Sequence, residues 1–247
     1  MREMNKDILV RHKKIDEMTL LELFMPDDEE KKPLVLMYHG YPDNKEFILS
    51  RAYKLAINGF FVVVPDIYGF GERKKIHTCS VEESIVRTAK EVNFLIDYFA
   101  RESLADTSRT GLVGYSMGGC IIFDYLAMEE HRIKAAAPVI SAPEWAWADH
   151  KFEKTLHFED TCSMTYEEYM KQLTRKKVGL SCVPILMQNG GLDTLVSISQ
   201  LQTFYKEMQS LYMDQDDIRL VIYAGIGHDD TMEMGDEIVG WFKKHLK

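Results

Sequence analysis

Between Leu112 and Gly119 the chain reads LVGYSMGG, an apolar run that ends in glycine, serine and glycine at two-residue spacing. G-x-S-x-G is the spacing a chain needs where a β-strand turns sharply into an α-helix with serine at the apex, because a Cβ at either flanking position would collide across so tight a turn. A serine held there lifts its Oγ above the sheet, and the first amides of the following helix aim partial positive charge at the same space. Such a place suits a nucleophile and an oxyanion. With Gly at about 7% of residues, the frame arises by chance in roughly one chain in ten of this length, so its surroundings decide its meaning. Arg109 to Tyr115 has the composition of a strand and Met117 to Met128 that of a helix, which is the context the turn requires.

The rest of the chain alternates in the same way. Ile8 to Ile15 and Met18 to Phe24 read as two antiparallel opening strands joined at Asp16 and Glu17, and Pro26 to Lys32 is a polar break. Leu34 to Tyr38 is a short continuous apolar run, as expected of a strand covered on both faces, and it ends at His39-Gly40-Tyr41. Lys45 to Asn58 places Phe47, Ile48, Ala52, Leu55 and Ala56 at helical spacing before a stop at Asn58-Gly59. Phe60 to Val64 is the next buried strand. The loop Asp66 to Thr78 contains Gly69-Phe70-Gly71, which lacks the third glycine and the adjoining helix of a dinucleotide fingerprint and reads as a turn.

Ser80-Val81-Glu82-Glu83 is a capping box, and the helix behind it carries Ile85, Ala89, Val92, Ile96 and Phe99 on one stripe. Further strands follow at Ile133 to Ile140, Val183 to Gln188 and Ile218 to Tyr223, with helices over Val196 to Leu211 and Thr231 to Leu246. Strands and helices alternating at this interval predict right-handed crossovers and an α/β fold with a doubly wound, mainly parallel sheet. One domain spanning residues 1–247 accounts for the whole length. Pro143 to Ser181 breaks the alternation with Trp145, Trp147, Phe152, Phe158, Met164 and Tyr166 and a short helix capped by Thr165 with Glu168 behind it. It reads as a short helical lid over the site; the competing reading is a peripheral helical pair packed on the body.

Charge and cysteine content narrow the partners. Thirty Lys+Arg against 39 Asp+Glu give a net charge of -9, which argues against nucleic acid as a partner and makes Arg73-Lys74-Lys75 and Arg175-Lys176-Lys177 solvated faces. Cys79, Cys120, Cys162 and Cys182 form no C-x-x-C pair and the first residues carry no apolar leader, so reduced thiols and a cytoplasmic location are expected. No apolar run approaches the roughly 18 residues of a membrane span. No H-E-x-x-H occurs, and His150 and His157 have no carboxylate or cysteine at ligand spacing, so neither a metal nor another cofactor is expected.

In a parallel sheet the functional strand ends lie at the carboxyl edge. That edge presents His39-Gly40-Tyr41, Ser116, Asp193 and His228, which supply an oxyanion loop, a nucleophile, an acid and a base in the chain order Ser, Asp, His. Asp193 also stands where a helix N-cap would, Asp229 and Asp230 are rival acids that suit helix capping, and His228 has the alternative of a surface loop histidine. His39 suits shaping the oxyanion loop through hydrogen bonds better than proton transfer.

The segments HGYPDNKE, VVVPDIYGFGER, GYSMGG, NGGLD and GIGH resemble those of serine hydrolases of the α/β-hydrolase superfamily, and are most similar to the small esterase branch near prolyl oligopeptidase and dienelactone hydrolase. The resemblance runs from about residue 34 to 246. Dienelactone hydrolase proper has a cysteine nucleophile where Ser116 stands, so its substrate does not carry over. The resemblance implies an acyl-enzyme on Ser116, His228 as general base oriented by Asp193, and the backbone amides of Tyr41 and Met117 as oxyanion hole. Tyr115, Trp145 and Trp147 are candidate substrate contacts. The expected activity is hydrolysis of carboxylic esters with small to medium acyl groups. A peptidase or acyl-aminopeptidase of the prolyl-oligopeptidase type and a non-catalytic binding protein on the same fold are the alternatives; the sequence leaves oligomeric state open.

Overall fold

A computed structural model describes residues 7–26, 30–76, 79–101, 105–128, 131–143 and 183–247. Eight strands form one sheet: β1 (Leu9–Ile15), β2 (Met18–Phe24), β3 (Lys32–Tyr38), β4 (Phe61–Pro65), β5 (Ala105–Tyr115), β6 (Ala135–Val139), β7 (Ile185–Gly190) and β8 (Ile218–Tyr223), in the spatial order β1-β2-β4-β3-β5-β6-β7-β8. The described helices are α1 (Leu49–Ala56), α2 (Val81–Ala100), α3 (Met117–Leu126), α4 (Ile198–Gln209) and α5 (Met232–Leu246). The two N-terminal strands are antiparallel to their neighbours, and every pairing from β4 through β3 to β8 is parallel.

The burial pattern follows the apolar pattern. β3, β4, β6 and β7 are buried at every residue, which is why most of their length reads as apolar runs. β1 is the open edge and carries Arg11, His12 and Lys14 exposed, charged and polar side chains being a common protection for an unpaired strand. Ile15 pairs with Met18 across a two-residue turn, and Asp16 takes the left-handed φ of 52° that such a turn requires.

From β3 the chain crosses by α1 to β4 on one side, then returns by α2 to β5 on the other. The carboxyl ends of β3 and β5 therefore flank the point where strand order reverses, which is where open α/β sheets place ligands. Two helical layers cover the sheet. Ile85 to Phe99 of α2, Met117 to Leu126 of α3, and Leu201, Phe204 and Met208 of α4 pack on one face. Ala52, Leu55 and Ala56 of α1 and Met234 to Leu246 of α5 pack on the other.

Several boundaries differ from the periodicity. The first helix begins at Leu49 and not at Lys45, because Lys45 is drawn inward to Asp66 and the segment before it closes as i→i+3 turns, Phe47 N–H to Asn44 O and Leu49 N–H to Glu46 O, both 3.2 Å. β5 starts at Ala105, four residues ahead of the apolar run, through a register shift opposite Pro33/Leu34. The capping box on α2 is half formed: Ser80 Oγ accepts from Glu83 N–H, while the Glu83 carboxylate turns to Arg87 at 2.7 Å. The predicted lid, with the Thr165-capped helix and most of Pro143 to Ser181, lies outside the described residues.

Candidate active site

β5 delivers Ser116 to the carboxyl edge in a strained backbone, φ 52° and ψ -114°, unusual for a residue with a side chain. The strain is held by its surroundings. Ser116 N–H donates to Val139 O at 2.9 Å on β6, and Gly119 N–H donates to Ser116 O at 2.8 Å as α3 begins. A Cβ on Gly114 would overlap the Gly118 carbonyl, and a Cβ on Gly118 would overlap the carbonyls of Tyr38 and His39. Both glycines of the motif are thus required by close backbone approach.

Two neighbouring loops bring a carboxylate and an imidazole to the serine. Beyond β7 and β8, Gly191 N–H donates to Tyr223 O at 2.7 Å and Leu192 N–H to Ile226 O at 2.8 Å, joining the loops that carry Asp193 and His228. His228 Nε2 lies 2.9 Å from Ser116 Oγ and Nδ1 lies 2.8 Å from Asp193 Oδ2. The Asp193 side chain is 0% exposed and that of His228 20%. An ionised carboxylate only accepts, so Nδ1–H donates to Asp193 and Nε2 is left to accept from the serine hydroxyl. Asp193 divides its oxygens: Oδ2 holds His228, while Oδ1 accepts from Leu195 N–H at 2.8 Å and Val196 N–H at 2.9 Å. Ser197 is the N-cap of α4, so Asp193 stabilises the turn before that helix and faces the imidazole at the same time.

The loop after β3 lies against the serine, with an ideal Cβ on Gly40 falling 3.5 Å from Ser116 Cβ. His39 is fully buried beneath this loop. Its Nε2 accepts from Ile67 N–H at 3.1 Å, which leaves Nδ1–H to donate to Gly40 O at 2.8 Å. Burial lowers the His39 pKa, so the ring is neutral at neutral pH and ties two loops together as a fixed tautomer. Met117 opens α3, and a first-turn N–H has no intrahelical acceptor. The Met117 amide stands in the N-terminal turn of α3 directly after Ser116, and Tyr41 directly follows Gly40 on the adjoining loop.

A buried ion cluster anchors that loop from below. Lys45 Nζ, 1% exposed, lies 2.8 Å from Asp66 Oδ2, 2.6 Å from Glu72 Oε1 and 3.0 Å from Glu46 Oε1. Asp66 also accepts from Thr19 Oγ1 at 2.7 Å and from the amides of Lys45 and Glu72 at 3.1 Å. Burial alone would raise the Asp66 pKa; the hydrogen bonds from Lys45 and Thr19 outweigh it and hold the carboxyl low. The Lys45 hydrogen bond, helped by His12, takes Glu72 from 4.5 to about 2. A carboxyl with a depressed folded-state pKa stabilises the fold above its unfolded value and loses that contribution as pH falls through the folded one. The thermal midpoint is therefore expected to fall as pH drops from about 4.5 toward about 2, and Glu72→Gln to flatten that acid limb in a series of melts; superimposable curves would remove Glu72 from the effect.

Comparison with known proteins agrees with this architecture. Residues 33–178 match the family model described as alpha/beta hydrolase fold. The chain belongs to the alpha/beta hydrolase family. The protein named "Putative esterase YitV" of Bacillus subtilis (strain 168) is 27% identical over 232 residues, covering 87% of this chain and 89% of its own. TT1662 from Thermus thermophilus superposes with a TM-score of 0.76 at 19% identity, over 98% of this chain and 99% of that one. The acylaminoacyl peptidase of Pyrococcus horikoshii superposes with a TM-score of 0.70 at 19% identity, over 97% of this chain and 42% of that one.

Within this alpha/beta hydrolase, Ser116, Asp193 and His228 come together with Gly40 against the serine, while Met117 follows Ser116 and Tyr41 follows Gly40 in the chain. Tyr115 points elsewhere: its ring belongs to the core face covered by α1 and α5 and lines a cavity between those helices. Trp145, Trp147, His150 and His157 lie outside the described residues. Asp230 neither caps α5 nor serves as the acid, because Thr231 Oγ1 accepts from Met234 N–H as the N-cap and Asp230 forms a two-pronged ion pair with Arg51, through Nε at 2.7 Å and through Nη2. Asp229 Oδ1 accepts from Asp230 N–H at 2.9 Å. Among the described residues no group of three His, Cys, Asp or Glu side chains is placed to hold a metal ion, and no helix is long and apolar enough to cross a membrane. Lys45 and Asp66 were missed in the sequence; the available signal was an aspartate directly after a fully apolar strand, at the edge where buried charge needs a partner.

Proposed function

We propose that the chain is a serine esterase that hydrolyses carboxylic esters of small to medium acyl groups through an acyl-enzyme on Ser116. The observation that carries this reading is the unbroken hydrogen-bonded run from Ser116 Oγ through His228 to Asp193. In the proposed reaction His228 Nε2 takes the serine proton as Oγ attacks the ester carbonyl carbon, and Asp193 stabilises the imidazolium that forms. The amides of Met117 and Tyr41 receive the developing oxyanion, a contribution on the order of a hundredfold or more in rate per donor. His228 then returns its proton to the leaving alcohol, and water, activated by the same imidazole, releases the acid and restores Ser116.

The likeness to an acylaminoacyl peptidase favours a second reading, in which the scissile bond is an amide. This chain corresponds to 42% of that protein, and amides demand more of the leaving-group proton transfer, so the ester reading stands first. A fluorophosphonate probe is expected to label Ser116, located by peptide mapping, and p-nitrophenyl esters of increasing acyl length to show an optimum at short or medium chains. Failure to label would favour a non-catalytic binding role. Turnover of aminoacyl anilides above that of esters would replace the esterase reading by the peptidase one.

A further inference from the structure

Between α1 and α5 lies a cavity of about 390 Å³ whose described walls include none of Ser116, Asp193 and His228. Its volume falls in the range of small-molecule pockets, roughly 300–1,000 Å³. Leu55, Met232 and Ile238 supply apolar walls, and Tyr115 supplies a ring. The polar groups around it are unbalanced. Arg51 has five N–H donors, of which Nε and Nη2 go to Asp230 and Nη1 to Phe47 O at 3.3 Å. Lys54 Nζ spends two of its three donors, on Met232 O at 2.9 Å and Asp236 Oδ1 at 2.8 Å.

Tyr115 is 6% exposed, and the Arg51 guanidinium lies over its ring, 5.3 Å from the ring centre. Burial, with Asp230 nearby, raises its pKa, so the hydroxyl keeps its proton and remains a donor. The Asp230 carboxylate and the Thr231 hydroxyl on this wall are already engaged. Both Asp230 oxygens are held by Arg51, and Thr231 Oγ1 accepts from Met234 N–H at 3.2 Å. Two guanidinium N–H groups and one ammonium N–H beyond those pairs, together with the Tyr115 hydroxyl, thus remain to donate beside this cavity, on Arg51 and Lys54 side chains that are 27% and 26% exposed. The complementary ligand brings acceptor oxygens, negative charge and a short apolar body.

We propose that this cavity is a second ligand site that takes a small apolar monocarboxylate, its carboxylate held by Arg51, Lys54 and the Tyr115 hydroxyl and its hydrocarbon placed against Leu55, Met232 and Ile238. A carboxylic acid is also what ester hydrolysis releases; that link to a source rests on the esterase reading, whereas the site itself does not.

The test is calorimetric titration with hexanoate in two forms of the full chain, one with Ser116 capped by a fluorophosphonate and one carrying Ser116→Ala. Saturable binding with the same affinity in both is expected, since neither change touches the cavity. Tyr115→Phe is expected to weaken it roughly tenfold, the usual weight of one hydrogen bond to a charged group. Met232→Glu, at a side chain 83% exposed on the cavity wall, places a like charge there and should weaken binding at least as much with an unchanged thermal midpoint. Absence of saturable binding, loss of binding on capping Ser116, or affinity unchanged from the parent chain in both Tyr115→Phe and Met232→Glu would overturn the proposal. If the probe fails to cap Ser116 the esterase reading falls, and the Ser116→Ala titration still decides the cavity.

Discussion

Replacing Ser116 by alanine is expected to lower kcat for p-nitrophenyl butyrate by roughly 10⁴-fold or more, the scale seen when a triad nucleophile is removed. The substitution deletes one oxygen and its 2.9 Å contact with His228, and leaves the backbone of the turn as it is. Alanine faces the same positive φ as serine, so the fold gains no new strain; one partly exposed hydrogen bond is worth about 1 kcal/mol, and the thermal midpoint should scarcely move. Asp193→Asn is the companion variant. It keeps an oxygen for the amides of Leu195 and Val196 but removes the charge that fixes the His228 tautomer, and should cost kcat a comparable factor of about 10⁴. Turnover at wild-type rates in Ser116→Ala, measured on purified protein against buffer hydrolysis, would place the nucleophile elsewhere.

Lys45→Met is expected to destabilise the protein by about 3–5 kcal/mol, the cost of breaking a buried ion pair from one side. The lysine and Asp66 are both inaccessible, at 1% and 0% exposure. Methionine fills much the same volume, so the loss is electrostatic: Asp66 keeps Thr19 and two amides but its carboxylate loses the ammonium bonded to it. For a chain of this length each kcal/mol moves the thermal midpoint by about 2–4 °C, so calorimetry should show a fall of about ten degrees. Lys45→Met combined with Asp66→Asn should recover part of that fall, because the second change removes the uncompensated charge. A double variant that melts no higher than the single one would mean that packing, and not charge, dominates at this site.

The order of strands and helices was legible because β3, β4, β6 and β7 are buried at every residue and so are largely apolar, while Asp16, Gly59 and Ser80 marked turns and caps by local chemistry. The serine turn was legible for a stricter reason: Gly114 and Gly118 sit where neighbouring backbones leave no room for a Cβ, and that need is written as two glycines. What periodicity could not supply were contacts between residues far apart in the chain. Lys45 looks like the first residue of an amphipathic helix until Asp66, 21 positions later, draws it inward. Asp230 looks like a helix cap until Arg51, 179 positions earlier, claims both its oxygens. Tyr115 adjoins Ser116 in sequence, yet alternation along β5 sends its ring to the other side of the sheet from the helix that follows Ser116.

The position of Ser116 between β3 and β6 also bears on how the chain reaches its native state. The β1–β2 hairpin closes over two residues and can form early, whereas parallel neighbours need long crossovers before they pair. The hydrogen bonds that join the serine, the imidazole and the carboxylate span 112 and 35 positions of chain. No local fragment contains them. The reactivity proposed for Ser116 would consequently be a property of the finished sheet, and its appearance during refolding is expected to follow the last non-local pairings and not the first collapse.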